Sequence, residues 1–114
     1  MNFLIRILIT ALVAFGLAYL LTGVHMDQFT TALLLALILA VLNAIVKPLL
    51  IILTLPITII TLGLFLLVIN AVIILLGDYF LDGFKVDGFW WALLFSILLS
   101  VVSSILYSMG KKES

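Results

Sequence analysis

Residues 19–34 read YLLTGVHMDQFTTALL, and residues 79–94 read YFLDGFKVDGFWWALL. Aligned at an offset of 60, they share Tyr19/Tyr79, Leu21/Leu81, Gly23/Gly83, Asp27/Asp87, Phe29/Phe89, Ala32/Ala92, Leu33/Leu93 and Leu34/Leu94. Extending the match without a gap, so that residues 3–45 lie on 63–105, adds Leu4/Leu64, Ile9/Ile69, Ala11/Ala71, Leu39/Leu99, Val41/Val101 and Ile45/Ile105. Apolar coincidences are cheap in a chain this rich in Leu and Ile; the Tyr, Gly, Asp and Phe matches carry the weight. Each block is a short polar segment between two long apolar runs. The chain therefore reads as one membrane hairpin written twice, an internal duplication of the kind found in membrane folds.

Composition requires a lipid solvent. The chain is 68% hydrophobic and 9% charged, against about 45–50% and about 25% in soluble domains. A soluble domain of 114 residues would leave too much apolar surface in water, because small domains bury only about 60–70% of their unfolded area. Nothing in residues 1–114 suggests a second, aqueous core. The formal net charge is zero, so no basic stripe awaits nucleic acid. Cysteine is absent, which removes disulfides, thiolate metal sites and catalytic thiols. Arg6 followed by the apolar run from Ile7 to Leu21 resembles a signal peptide, but no small-residue cleavage site or soluble domain follows.

The expected fold is an all-α membrane protein of four transmembrane helices, arranged as two tandem parallel-repeat hairpins. The first repeat is 3–47 and the second is 57–107, with a polar tail at 108–114. The spans run over 3–22, 28–46, 57–77 and 88–107, each close to the ~20 apolar residues a bilayer requires. Asp27 and Asp87 stand where helix N-caps belong. Residues 48–56 join the repeats. Pro48 and Pro56 each suit a first helical turn, so a short interfacial or re-entrant helix is expected from Pro48 to Leu53, with a break at Thr54-Leu55. The hydroxyls of Thr54, Thr58 and Thr61 are placed to satisfy backbone groups freed there. The rival is one long kinked helix over 48–77, which requires tilt or protrusion.

Arg6, Lys47, Lys111 and Lys112 share one side of such a bundle and act as topology anchors. Lys85 lies opposite, with Asp27, Asp78, Asp82 and Asp87. The positive-inside rule puts the basic side, and both termini, in the cytoplasm. The outer linkers Gly23-Val24-His25-Met26-Asp27 and Gly83-Phe84-Lys85-Val86-Asp87 alternate apolar and polar residues. They form either an antiparallel two-stranded ladder that lids the bundle or two separate solvated turns. The turns have the edge, since an isolated two-stranded pair is marginal in water.

Small residues recur every four positions: Ala32, Ala36, Ala40 and Ala44 on the second span, and Ala92, Ser96, Ser100 and Ser104 on the fourth. This spacing puts each set on one helix face and lets backbones approach closely. The faces serve packing of span two on span four, or contacts between subunits. Asn43 and Asn70 are the only amides in the interior of spans, and each is either an interhelical clamp or part of a polar path. Asp78 and Asp82, four apart, are too few for a metal site. The single His25 has no nucleophile near it in sequence. No catalytic triad, phosphate-cradling loop or zinc spacing occurs, so an enzyme is not expected, and neither is a cofactor.

Asn43-Ala-Ile-Val-Lys47-Pro48, Leu55-Pro56, Thr61-Leu62-Gly63 and Asn70 together resemble the four-span phage holin superfamily IV of small bacterial membrane proteins, over essentially the whole chain. The resemblance implies a bacterial plasma-membrane protein. Its function would be holin-like: self-association, with permeabilisation of the membrane. The alternative is a non-catalytic structural or accessory subunit of an envelope membrane complex, which the scarcity of polar intramembrane residues favours. A secondary transporter fits least, for want of an intramembrane ion pair and an inverted repeat. The expected partners are the lipid bilayer and either further copies of the chain or other membrane subunits.

Overall fold

Unbroken apolar runs in a lipid solvent must satisfy their backbone internally, and the helix does so without help from a neighbour. The computed structural model describes the backbone of residues 2–113 and the side chains of residues 2–110. Its elements are α1 (Phe3–Leu20), β1 (Val24–Met26), α2 (Phe29–Leu53), α3 (Leu55–Ile60), α4 (Phe65–Phe80), β2 (Phe84–Val86) and α5 (Phe89–Glu113). Three helices, α1, α2 and α5, are long and apolar enough to cross a membrane, and α4 is a shorter apolar helix. The side chains of Lys111 and Lys112 lie outside the described residues.

The helices form a four-sided ring. α1 borders α2 and α5, and α4 borders the same two. Every neighbour in this ring is antiparallel, which sets opposed helix dipoles side by side. The parallel pairs fall on the diagonals. The expected packing of span two on span four is therefore not what forms: among the described residues, no Cα of α2 comes within 8 Å of one in α5. Instead Ala32 and Ala36 of α2 pack with Ala11 of α1, all three buried, inside the first hairpin. The main core fills the axis from the other sides, with Leu35, Leu39, Ile73, Phe84, Phe95 and Leu99 among its members.

The all-α expectation needs one addition. β1 and β2 pair antiparallel, with Val24 opposite Val86, His25 opposite Lys85 and Met26 opposite Phe84. The ladder is extended at both ends by Asp27 N–H to the Gly83 carbonyl (3.2 Å) and Asp87 N–H to the Gly23 carbonyl (2.8 Å). What stabilises so short a pair is the bundle beneath it. Val24, Phe84 and Val86 are buried while His25 and Lys85 face outward, the alternation a half-buried strand requires. Val86 N–H, on the outer edge of the ladder, donates to the Asp78 carboxylate at 3.0 Å. Asp78→Ala leaves that part-buried donor unpaired. The expected cost is about 1–3 kcal/mol, seen as a lower melting temperature in detergent, with Asp78→Asn milder because an acceptor remains.

The ladder also moves the helix starts. The Asp27 N–H is committed to Gly83, so the backbone stays extended through Gln28 (φ −161°, ψ 166°), which becomes the residue before the first turn of α2. Asp27 and Asp87 are accordingly not N-caps. The Asp27 carboxylate accepts the Thr31 hydroxyl, and Asp87 pairs with His25 Nε2 at 3.0 Å. Both pairs lie at the positive ends of α2 and α5, where a negative charge is favourable.

The junction differs from expectation in register. α2 continues through Pro48 to Leu53; proline removes one helical donor there, which membrane helices tolerate. The break falls at Thr54, as expected, but the short helix comes after it, at Leu55–Ile60, with Pro56 in its first turn. The next span starts only at Phe65. The threonine hydroxyls do less than expected: the carbonyls they reach already accept the same residues' backbone N–H groups, and of the three only Thr61, whose Oγ1 accepts the Phe65 N–H (3.2 Å), meets a group freed at a helix start. Thr54 Oγ1 donates to the Leu50 carbonyl (2.6 Å), Thr58 Oγ1 to Thr54 (3.1 Å) and Thr61 Oγ1 to Ile57 (3.0 Å).

Thr61-Leu62-Gly63 ends α3 in a Schellman arrangement. Gly63 N–H reaches the Thr58 carbonyl at 2.8 Å and Leu62 N–H reaches Ile59 at 3.1 Å. This puts Leu62 at φ +57°, left-handed, where glycine is usual, with its side chain 92% exposed. A left-handed leucine costs about 1–2 kcal/mol of backbone strain. Leu62→Gly is expected to raise the melting temperature by relieving it; an unchanged or lower value would contradict the strain.

Candidate functional site

Below the buried core, at the end away from the ladder, the ring opens. A cavity of about 500 Å³ is lined there by α1 (Phe3, Arg6, Ile7, Thr10), α2 (Ala36, Leu39, Ala40, Asn43, Ala44) and α5 (Leu99, Ser100, Ser103, Ser104, Tyr107). A recess of about 70 Å³ continues it toward α4, between Asn43, Lys47, Asn70, Ser96 and Ser100. The two share Leu39, Asn43, Leu99 and Ser100, so they form one cup around the axis. Its closed end is apolar, at the buried Leu39 and Leu99; its mouth lies among exposed residues, Phe3, Arg6 and Ala44.

This placement explains the small-residue faces. Their ladder-end halves, Ala32, Ala36, Ala92 and Ser96, are buried. Their open-end halves, Ala40, Ala44, Ser100 and Ser104, line the cup and leave its volume free. One helical stripe thus does two jobs along its length. The Ser96 hydroxyl donates back to the Leu93 carbonyl (2.9 Å). Asn43 and Asn70 line the recess, and among the described residues neither amide bonds across to another helix. Lys47, expected as a topology anchor, is half-buried on the recess wall.

Four polar residues at this level come one from each helix of the ring: Thr10, Asn43, Asn70 and Ser103. The sequence analysis singled out only the two asparagines. The offset of 60 would have found the others, since Thr10 aligns with Asn70 and Asn43 with Ser103. Tyr107 closes the mouth from α5. Its hydroxyl meets Thr10 Oγ1 and donates to the Arg6 carbonyl (3.4 Å). The Arg6 guanidinium lies over its ring, 4.7 Å from the centroid, a cation–π contact. These contacts join the start of α1 to the far part of α5.

The electrostatics divide by end. Arg6 and Lys47 face the cup, and among the described residues no carboxylate lines it. Asp27, Asp87 and Asp78 engage Thr31, His25 and Val86 at the ladder end. Among the described residues, no cluster of three or more His, Cys, Asp or Glu is arranged to hold a metal ion. The arrangement offers hydrogen-bond donors and positive charge inside an otherwise apolar ring, the combination that orients a polar or anionic ligand.

The comparisons agree with this architecture. The chain is 42% identical over 98 residues to an uncharacterized membrane protein, YvlD, of Bacillus subtilis, covering 85% of this chain and 82% of that one. It is also 42% identical over 81 residues to an uncharacterized protein of Streptomyces coelicolor, covering 68% of this chain and 65% of that one. No solved structure matches it significantly. The family model described as mycobacterial 4 TMS phage holin, superfamily IV, matches residues 1–105, and the chain belongs to that family.

Proposed function

We propose that the protein is a non-catalytic, self-associating subunit of the bacterial plasma membrane, closed at rest, with both termini and the cup facing the cytoplasm. The observation that carries this reading is the seal above the cup. Leu35, Leu39, Phe95 and Leu99 are each at most 7% exposed across the axis, and Phe84 and Val24 lie buried under the ladder. Water and ions crossing one subunit would have to traverse that apolar plug, and hydrophobic constrictions block by dewetting. The outer faces are no better a pore wall, since Leu8, Leu12, Leu34, Leu37, Val41, Ile45 and Val101 are exposed there.

Orientation rests on Arg6 and Lys47 at the cup end, with Lys85 at the other. Self-association is supported by Gly16, on an exposed face of α1 with open space where a side chain would stand, which allows a second helix to approach closely. The tandem duplication, with repeats at 3–47 and 57–107, is supported by matched hydrogen bonds 60 residues apart. Leu21 N–H to Leu17 pairs with Leu81 N–H to Gly77, and Val24 N–H to Leu21 pairs with Phe84 N–H to Leu81. A second reading, membrane permeabilisation by an opened form, is favoured by the ring of Thr10, Asn43, Asn70 and Ser103 beneath the plug.

Inducible expression with a membrane-potential dye separates the two. The closed subunit leaves the potential intact, whereas depolarisation by the wild-type chain would establish the permeabilising reading. Mild-detergent purification with a mass measurement is expected to give more than one chain per particle, and Gly16→Leu fewer. A wild-type particle of one chain removes self-association.

A further inference from the structure

The family relationship assigns no ligand to the cup, yet its walls are selective. Two cations, Arg6 and Lys47, face it, and no carboxylate is among its described lining residues. Asn43, Ser100 and Ser104 add amide and hydroxyl groups to the same walls, and Asn70 stands beside Lys47 in the recess.

We propose that the cup holds the phosphate headgroup of an anionic phospholipid. The volume, about 500 Å³, lies in the range of sites for whole small molecules (about 300–1,000 Å³) and exceeds the needs of a bare oxyanion. The walls are amphipathic in the right order. Arg6 and Thr10 alternate along α1 with Phe3 and Ile7, also in the lining, so an acyl chain finds apolar neighbours beside the headgroup donors. Tyr107 under the guanidinium holds Arg6 in place by stacking. Its planar fork is left to bind oxygen, which suits phosphate better than a flexible ammonium does. Basic pockets between transmembrane helices are the places where lipid phosphates are recognised. The orientation proposed above makes the cytoplasmic leaflet the source; the binding itself does not depend on it.

The test uses the full chain purified in mild detergent, delipidated, and titrated in native mass spectrometry with phosphatidylglycerol, with phosphatidylcholine of the same chains, and with inorganic phosphate. Phosphatidylglycerol should be retained at least about tenfold better than phosphatidylcholine, and Arg6→Gln should lose about tenfold, the effect of one charge-assisted hydrogen bond. Lys47→Gln should weaken retention severalfold. Equal retention of the two lipids by the wild-type protein overturns the proposal, whether or not any variant folds. So does unchanged binding in both Arg6→Gln and Lys47→Gln. Displacement of the lipid by millimolar inorganic phosphate would show a soluble anion to be the ligand and overturns it as well. Cysteine labelling at Asn2 in inverted vesicles scores the orientation separately: a wrong orientation moves the lipid to the other leaflet and leaves the binding result standing.

Discussion

Phe84→Ala is expected to be the most damaging single truncation in the ladder. Phe84 is 1% exposed, opposite Met26 in the strand pair, with its ring 5.7 Å from that of Phe95 on α5. It anchors the ladder to the plug. Emptying such a site removes the transfer free energy of the ring and leaves a cavity, together about 3–5 kcal/mol for Phe→Ala. Because the strands are three residues each and marginal alone, the loss should appear locally first. Amide exchange in 24–26 and 84–86 should accelerate while the buried turns of α2 and α5 stay protected, and the melting temperature in detergent should fall. Ladder amides as slow as in the wild type would show that the aromatic anchor is dispensable.

The second large effect is expected from the smallest change. A methyl group at Gly23 would lie 2.1–2.2 Å from Trp91 ring atoms, which no real contact permits. Trp91 packs against the main core, so the ring must shift or the ladder must lift. Overpacking of this kind costs about 1–3 kcal/mol or more, and Gly23→Val should exceed Gly23→Ala. A melting temperature of Gly23→Ala equal to or above that of the wild type would show that Trp91 does not limit the first hairpin's turn.

Much of this fold was legible in the sequence, and the reasons differ by element. Long apolar runs leave the backbone no choice but helix, so α1, α2 and α5 follow from composition and length. The alternation at 24–26 and 84–86 suggested an inside and an outside, but separate turns were the preferred expectation, and the ladder that forms corrects it. Whether they pair depended on the bundle bringing them together, which periodicity does not encode. Pro48 was misread as a helix start because its local preference was weighed without the tolerance that membrane helices show for proline. The diagonal position of α2 and α5 was missed because a small-residue face says that something comes close, not what. Ala32 and Ala36 took a neighbouring helix, while Ala44 and Ser104 took a cavity. Of the cup, Asn43, Asn70, Arg6 and Lys47 stood out as polar residues in or beside spans. Thr10, Ser103 and Tyr107 are ordinary in type and acquire meaning only from the ring that surrounds them.

The strand pair also sets the order in which the molecule can be completed. His25 and Lys85 are opposite partners, so β1 leaves the ribosome long before its partner exists. Until α4 and β2 have formed, Val24 to Met26 present an unpaired edge, the kind of surface on which chains stick to one another. Contacts between such distant segments form late. Closure of the ladder therefore waits for α4 and β2, and it marks a chain in which the second hairpin has begun to form. A product that stops before Phe84 would hold a complete first hairpin with nothing to mate its exposed strand except another unfinished copy. Quality control that recognised an open strand at the membrane surface would thereby distinguish chains that stop short of β2 from those that reach it.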